Sequence, residues 1–364
     1  MPHSLIPSFP LSTRKERSPQ WRDGKFRNRL ERHDGPIWRS FGEFFFGGSK
    51  HRRPTTPMPV ETRVAADYAP ASGLRVTWLG HSTTLLEVEG TRLLFDPVWA
   101  ERASFVSFAG PKRFFPPPLP VAELPAVDAI VLSHDHYDHL DKELVESVAA
   151  RRLPWIVPLG VGDWLRKWGV AASDVTELDW WDTTRVGAIT LTSTPARHFS
   201  GRGLTSADKT LWSGWAVIGE RHRVYYAGDT ALQDEFEEIG RRLGPFDLTM
   251  IEIGAYDALW PDVHLGPEQA VLAHRLVCGD VMLPLHWGTF DLALHGWTEP
   301  IERALVAAAK DGVRVALPKP GGMFEPTNTV PTTRWWPTLP WHTAAEKPIH
   351  STGVQPALQR GQIP

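Results

Sequence analysis

The segment Ser133-His-Asp-His-Tyr-Asp-His-Leu-Asp141 decides the fold of this chain. It places three histidines and an aspartate within six positions, directly after an apolar run that is typical of a buried strand. Side chains two apart on an extended segment point the same way, so His134 and His136 can bind one metal ion together. Asp138 and His139 lie in the turn beyond the strand and can face a second ion. Imidazole and carboxylate are ligands of zinc in open catalytic sites, and paired half-sites indicate a two-metal hydrolase.

The composition excludes several classes of protein. The chain has 364 residues and a net charge of −3, so it can bury a large core and has no basic field for nucleic acid. Its single cysteine, Cys278, excludes an intramolecular disulfide and fits a reducing compartment. No signal peptide and no apolar run of membrane-spanning length are evident. We therefore expect a cytoplasmic protein, and the sequence leaves open both peripheral membrane contact and a homodimer.

Three segments divide the chain. Residues 1–60 form an N-terminal arm that is partly irregular, 61–326 form the catalytic domain, and 327–364 form a Pro-rich C-terminal tail. Apolar periodicity predicts strands over 75–79, 84–88, 92–95, 128–133, 155–158, 189–194, 212–218, 223–227, 248–253, 281–285 and 313–317, and helices over 140–151, 162–168, 233–243, 267–277 and 299–310. Hairpins mixed with helices predict two mixed sheets between layers of helices.

Further metal-ligand candidates follow other predicted strands. His198, Asp229 and His286 each come at or just after the end of an apolar run. The sequence therefore predicts one site of three histidines and a second site of an aspartate and two histidines, with Asp229 shared between the two ions. The first site comprises His134, His136 and His198, and the second comprises Asp138, His139 and His286.

These residues carry a family resemblance. The His-x-His-x-Asp-His motif, with its downstream histidines and aspartate, resembles the metallo-β-lactamase superfamily. Within it, the chain resembles the N-acyl-phosphatidylethanolamine-hydrolysing phospholipases D from about residue 23 to about residue 322. The motifs that carry this resemblance are the segments 23–28, 74–81, 110–114, 178–181, 236–240, 244–248, 253–256 and 286–290.

The resemblance implies a fold of the α/β (α+β) class, namely a metallo-β-lactamase-like αββα four-layer sandwich. Two mixed sheets form the inner layers of this sandwich, and helices flank them. It also implies two zinc ions per chain and a metal-dependent phosphoric diester hydrolase of phospholipase D type. The substrate would be an N-acyl-phosphatidylethanolamine-like lipid, which is cleaved to an N-acylethanolamine and phosphatidic acid.

Four residues are candidates for roles beside the metal ligands. Asp138 could orient the attacking water, and His264 could hold the phosphate or assist the leaving group, or else cap the helix that follows. His81 and Asp96 each follow a strand and could position the ligands from behind, or serve only as turn residues.

Competing functions remain open at this point. A lactone, a β-lactam or another small ester or phosphodiester could be the substrate, and a binding or scaffold role could leave the site unused. The aromatic segment 36–46 could contact lipid or pack on the body. A long apolar groove beside the site would favour lipid, whereas a small polar cleft would favour a small substrate.

Overall fold

The computed structural model of the protein describes residues 11–33, 48–70, 72–203 and 205–359. The aromatic segment 36–46 lies outside these ranges, so the two alternatives for it stay open. Among the described residues, no helix combines the length and the apolar character needed to cross a membrane.

Two seven-stranded sheets form the body of the chain. The first has the strand order β16-β3-β4-β5-β6-β7-β8 and the second has the order β15-β14-β13-β12-β11-β10-β9. The strands of the first sheet are β3 (Leu74–Gly80), β4 (Thr83–Val88), β5 (Thr91–Phe95), β6 (Ala129–Val131), β7 (Trp155–Pro158), β8 (Val175–Leu178) and β16 (Met323–Phe324). Those of the second are β9 (Thr183–Val186), β10 (Ile189–Thr194), β11 (Gly214–Ile218), β12 (Arg223–Tyr226), β13 (Phe246–Glu252), β14 (Gly279–Leu285) and β15 (Arg314–Val315).

Each sheet contains antiparallel hairpins on one side and parallel strands on the other. Strands β5 to β8 run parallel in the first sheet, and β12 to β15 run parallel in the second. The carboxyl ends of parallel strands meet at one edge of a sheet, so loops that leave these strands lie side by side. A separate short hairpin is formed by β1 (Trp21–Arg22) and β2 (Lys25–Phe26).

Helices cover the outer face of both sheets. The helices are α1 (Leu11–Arg17), α2 (Lys142–Val148), α3 (Gly162–Lys167), α4 (Glu235–Leu243), α5 (Pro267–Leu276), α6 (Glu299–Asp311) and α7 (Pro356–Gln359). Leu144 of α2 and Leu165 of α3 pack on the first sheet, whereas Phe236 of α4 and Ile301 of α6 pack on the second. The Trp215 indole of the second sheet donates a hydrogen bond to Leu132 O beside the first, 2.9 Å away. The predicted αββα sandwich is confirmed.

The predicted and observed elements differ mainly at sheet edges. Strands β8, β9 and β16 lack a sequence prediction, and the predicted strand 313–317 pairs only over Arg314–Val315. An edge strand forms backbone hydrogen bonds with one neighbour only and leaves side chains in solvent, so its apolar pattern is weak. The strand β9 is an example, since its residues Thr-Thr-Arg-Val are half-exposed.

The described parts of both terminal segments pack on this body. Phe26 of the β1–β2 hairpin is buried against Trp180 and Trp212, and Trp336 of the C-terminal tail lies edge-on to Trp287 with ring centroids 5.2 Å apart. The division into arm, domain and tail at 60/61 and 326/327 stays a prediction, since packing alone does not show which segments fold independently.

Candidate metal centre

Side chains from loops at the carboxyl ends of several strands converge between the two sheets. Three of these residues, His81, Asp96 and His286, have left-handed backbone with φ values of 53°, 37° and 63°. Such conformations are uncommon for residues with a side chain and cluster at functional sites. Gly228 has φ 62° and a Cβ there would lie 2.8 Å from Ser133 Cβ, so only glycine lets Asp229 enter the site beside the metal-binding motif.

Three imidazole rings lie close together where these loops converge. His136 Nδ1 lies 2.9 Å from His134 Nε2 and 3.2 Å from His198 Nε2. Tetrahedral zinc with nitrogen ligands at ~2.0–2.1 Å would hold those ligands about 3.3 Å apart. The three nitrogen atoms are therefore spaced as ligands of a single ion.

The remaining nitrogens of two of these rings are anchored by other groups. His198 Nδ1 donates to Val263 O at 2.8 Å, and His134 Nδ1 donates to Ser133 Oγ at 2.9 Å, since that hydroxyl donates its own proton to Asp96. The hydrogen-bond network thus assigns the tautomer with a bare Nε2 to both rings. Bare nitrogens facing each other repel unless a proton or a cation lies between them, so the cluster fits a metal ion.

A second group of ligands lies beside the first. Asp229 Oδ2 is 3.1 Å from both His139 Nε2 and His286 Nε2, and Asp138 Oδ2 is 3.3 Å from His286 Nε2. Asp229 Oδ2 also lies 3.8 Å from His134 Nε2 and from His198 Nε2. One carboxylate oxygen therefore stands between the two sets of imidazoles, as the sequence predicts for a shared ligand.

Several polar atoms of this second group have no hydrogen-bond partner among the described residues. They are His139 Nε2, both nitrogens of His286, Asp229 Oδ1 and His81 Nδ1. His139 Nε2 and His286 Nε2 approach Asp229 Oδ2 at 3.1 Å, but neither forms a hydrogen bond with it. Buried polar atoms are paired in most proteins, and leaving one unpaired costs about 1–3 kcal/mol. Unpaired nitrogen and oxygen atoms on buried groups that are metal ligands by chemistry indicate that a cation completes the site.

The pKa values of the buried groups separate into two classes. Burial lowers the pKa of His134, His136 and His198, and neutral imidazole is the form that binds metals. Burial also lowers the pKa of His286, but the carboxylates of Asp229 and Asp138 outweigh burial and raise it to about 10.

The pKa values of the two carboxylates shift in the opposite direction to that of His286. Burial raises the pKa of Asp138 and Asp229, yet the imidazoles of His139 and His286 outweigh it and hold both pKa values well below their usual range. The two carboxylates are therefore ionised at neutral pH, and positive charge is favoured beside them.

The structure also places the three other candidates at this centre. His81 Nε2 lies 3.0 Å from Asp138 Oδ2, and Asp96 Oδ2 lies 2.7 Å from His139 Nδ1. His264 Nδ1 lies 2.6 Å from Glu252 Oε2 and 3.8 Å from Asp229 Oδ2. All ten predicted site residues are thus brought together in one region, and each of these three contacts a carboxylate or an imidazole of the cluster.

Glu252 is a site residue for which the sequence analysis makes no prediction. It ends β13, is fully buried, and accepts hydrogen bonds from Thr230 N at 2.5 Å and from His264. Burial raises its pKa against the opposing effect of His264. The available signal was its place at the end of an apolar strand, the same signal that identifies Asp229 and His286.

Asn28 is a second site residue without a sequence prediction, and it comes from the N-terminal arm. Its Nδ2 donates to His198 O at 2.8 Å, and its Oδ1 accepts from His198 N at 3.1 Å and from Trp212 Nε1 at 3.0 Å. One amide therefore holds both backbone groups of His198. The segment 23–28 shows a family motif, but no sequence pattern indicates that it reaches this histidine.

A buried ion pair joins both terminal segments to the loops of the site. Arg197 Nη2 lies 3.1 Å from Asp262 Oδ2. In the sequence, Arg197 directly precedes His198, and Asp262 lies two residues before His264. Arg197 also donates to Glu31 O at 2.6 Å, and Asp262 accepts from His33 N at 2.9 Å and Thr352 N at 2.7 Å. The arm and the tail therefore brace the two loops that carry the site histidines.

A cleft of about 480 Å³ opens beside His198. Its walls are polar and include Arg22, Asp23, Arg27, Asn28, Arg29, Glu31, Arg32 and Asp208. Among the described residues this cleft is not a long apolar groove, and its arginines suit a charged part of a substrate.

Comparisons with known proteins place the chain in a family and identify proteins that are similar to it. Residues 91–287 match the model of the Beta-lactamase superfamily domain. The chain is 46% identical over 334 residues to an uncharacterized protein of Mycobacterium tuberculosis, covering 88% of each chain. It is also 46% identical over 247 residues to N-acyl-phosphatidylethanolamine-hydrolyzing phospholipase D 1 of Caenorhabditis elegans, which covers 65% of this chain and 69% of that protein. A metallo hydrolase from Ignicoccus hospitalis shares the fold with a TM-score of 0.53 and 22% identity, over 69% of this chain and 98% of that one.

We predict that Asn28→Ala weakens metal binding at the three-histidine cluster. The variant loses the hydrogen bonds that fix the His198 backbone, and such supporting contacts are typically worth about tenfold to a hundredfold in metal affinity. Competition with a chromophoric chelator measures the affinity. The matched control is Arg27→Ala, whose exposed side chain neighbours Asn28 on the same segment and should leave metal affinity unchanged. Equal metal affinity in Asn28→Ala and wild type would show that the amide only packs the arm.

Proposed function

Because the chain belongs to the β-lactamase superfamily and is a metal-dependent hydrolase, we propose that it is a two-zinc phosphodiesterase of phospholipase D type. The substrate is an N-acyl-phosphatidylethanolamine-like lipid, and the products are an N-acylethanolamine and a phosphatidic acid. The observation that carries the proposal is the pair of ligand sets with Asp229 between them, together with 46% identity to the Caenorhabditis elegans phospholipase over 247 residues.

The ligand assignment follows from the donor atoms. His134, His136 and His198 would hold one ion, and Asp138, His139 and His286 would hold the other, with Asp229 between them. When bound, two zinc ions lower the pKa of water toward neutrality and polarise the phosphoryl oxygen. Neutral imidazole and ionised carboxylate are the states that the pKa shifts of the first three histidines and of both aspartates favour.

The chain's own residues position the reactants. Asp138 Oδ2 is held by His81 Nε2 at 3.0 Å and lies 3.3 Å from His286 Nε2, and from this position its carboxylate orients the attacking water and accepts its proton. His264 is held by the buried Glu252 carboxylate, and 13% of its side chain is exposed. His264 donates a proton to the leaving ethanolamine oxygen as the bond from that oxygen to phosphorus breaks.

The polar cleft bears on the choice of substrate. Guanidinium groups bind phosphate through paired hydrogen bonds, so the arginines around the cleft favour a phosphodiester headgroup over an uncharged ring. The same polar cleft also favours a small substrate over an acyl chain, which keeps hydrolysis of a lactone, a β-lactam or a small ester as the second candidate function.

We predict that the purified protein carries about two zinc equivalents, as a two-metal hydrolase should. Elemental analysis measures the content, and chelation followed by readdition of zinc should remove and restore activity. A content below about half an equivalent, with no activity gained on zinc addition, would contradict the proposal.

We predict that Asp229→Asn lowers kcat about a thousandfold, or about 4 kcal/mol of barrier, while the melting temperature changes little. The amide removes the negative charge that lies between the two sets of imidazoles. The matched control is Asp247→Asn on the same sheet, where the half-exposed carboxylate accepts from Arg223 N and an amide oxygen can replace it. A shared-ligand role is wrong if Asp229→Asn keeps both ions and turns over at the wild-type rate.

We predict that the zinc-loaded protein hydrolyses an N-acylated phosphatidylethanolamine in mixed micelles with at least about a hundredfold higher kcat/KM than a lactone or a β-lactam. Mass spectrometry of the products should detect the N-acylethanolamine and the phosphatidic acid. The reverse preference would establish the second candidate and overturn the phospholipase proposal.

A further inference from the structure

Two phenylalanines stand out among the described residues because they face solvent beside the site. The exposed fractions of Phe105 and Phe108 are 79% and 81%. The other exposed large hydrophobic residues in the described ranges are Val64 and Val306, and each is more covered than these rings. Both phenylalanines belong to the segment Ser104-Phe-Val-Ser-Phe-Ala-Gly110, which contains no charged residue.

This segment is the tip of a short antiparallel ribbon, which we call the aromatic tip. Arg102 bridges Lys112, Ala103 N donates to Pro111 O at 3.0 Å, and Arg113 N donates to Glu101 O at 2.9 Å. At the turn, Gly110 has φ 101°, and a Cβ there would lie 2.6 Å from Ser104 Cβ. The ribbon therefore holds the two phenylalanines on a defined support.

The base of the ribbon is fixed to the metal centre. Phe114 N donates to Thr289 O at 2.8 Å, and Thr289 Oγ1 accepts from His81 N at 2.7 Å. The Phe105 ring lies 6.5 Å from the ring of Tyr137, which stands between His136 and Asp138 in the metal-binding motif. The aromatic tip is therefore held close to the opening of the candidate site.

The chemistry of the tip restricts what can cover it. Uncharged aromatic residues above a base of charged residues, here Glu101, Arg102 and Lys112, match the boundary between acyl chains and headgroups. A stable protein interface buries more than about 1,000 Å², which is far more than two phenylalanines on a seven-residue tip can supply. The net charge of −3 also offers little general attraction to anionic surfaces, so apolar contact must provide the attachment.

We propose that the aromatic tip inserts into the interfacial region of a lipid bilayer and places the candidate site against the membrane surface. Phe105 and Phe108 supply the buried apolar area. This inference rests on the proposed function, because a lipid substrate is what the inserted tip would present to the site. The polar cleft then receives the headgroup, while the acyl chains remain in the bilayer.

The test uses the zinc-loaded 364-residue chain and vesicles of phosphatidylcholine and phosphatidylethanolamine, neither of which is the proposed substrate. Sedimentation measures vesicle binding in wild type, in Phe105→Ser/Phe108→Ser and in the control Val306→Ser, which removes an exposed apolar side chain of α6. We expect at least about tenfold weaker vesicle binding in the double variant, since two phenylalanines lose their apolar contact. We expect no change in the control.

Two further measurements separate this role from a structural one. The double variant should keep the wild-type melting temperature and the wild-type rate on a small soluble diester, and its apparent KM on vesicle substrate should rise. Unchanged vesicle binding in the double variant overturns the inference, as does a lowered melting temperature with loss of soluble-diester hydrolysis. Wild-type protein that binds vesicles but does not cleave N-acylated phospholipid overturns only the proposed function.

Discussion

The rest of the structure depends on one electrostatic constraint, the placement of two ionised carboxylates between the two sheets, with Asp138 after β6 and Asp229 after β12. Asp229 is buried and only 15% of the Asp138 side chain is exposed, and an uncompensated charge in such surroundings costs several kcal/mol. The same carboxylates raise the pKa of His139 and of His286 against the opposing effect of burial, so positive charge is favoured beside them. Metal binding at such a site displaces protons, so the same arrangement that is tolerable without an ion favours divalent cations.

This constraint explains why many residues outside the ligand set serve to position the ligand side chains. Asp96 bonds to His139, Ser133 and Tyr226, and thereby ties both sheets to one ligand ring. Glu252 holds His264 and the backbone after Asp229 in the same way. Removing any one of these contacts would let a ligand rotate away from the cluster, which is why supporting residues of metal sites matter nearly as much as the ligands.

The site also extends beyond the domain that the family model matches. Residues 91–287 contain the seven candidate ligands, but His81 and Asn28 lie before that range, and Thr352 lies after it. The terminal segments meet at the buried Arg197–Asp262 pair and brace the loops of His198 and His264. The N-terminal arm forms part of the polar cleft, and the ribbon after β5 forms the aromatic tip. The proposed contacts with the substrate headgroup and with the membrane therefore come from different parts of the chain.

The sequence by itself determined the sandwich and the predicted ligand set, because both are encoded in local patterns. The motif at 134–139 and the residues that end apolar strands can be recognised without knowing which strands are neighbours. Tertiary structure alone decided the partners of those residues. Asn28 meets His198 across 170 positions, and His81 meets Asp138 across 57. No local periodicity encodes a contact between segments so far apart, because such contacts depend on how the two sheets and the terminal segments pack. The weak edge strands and the exposed aromatic tip were likewise decided there, since pairing on one side and exposure to solvent are properties of the assembled sheets.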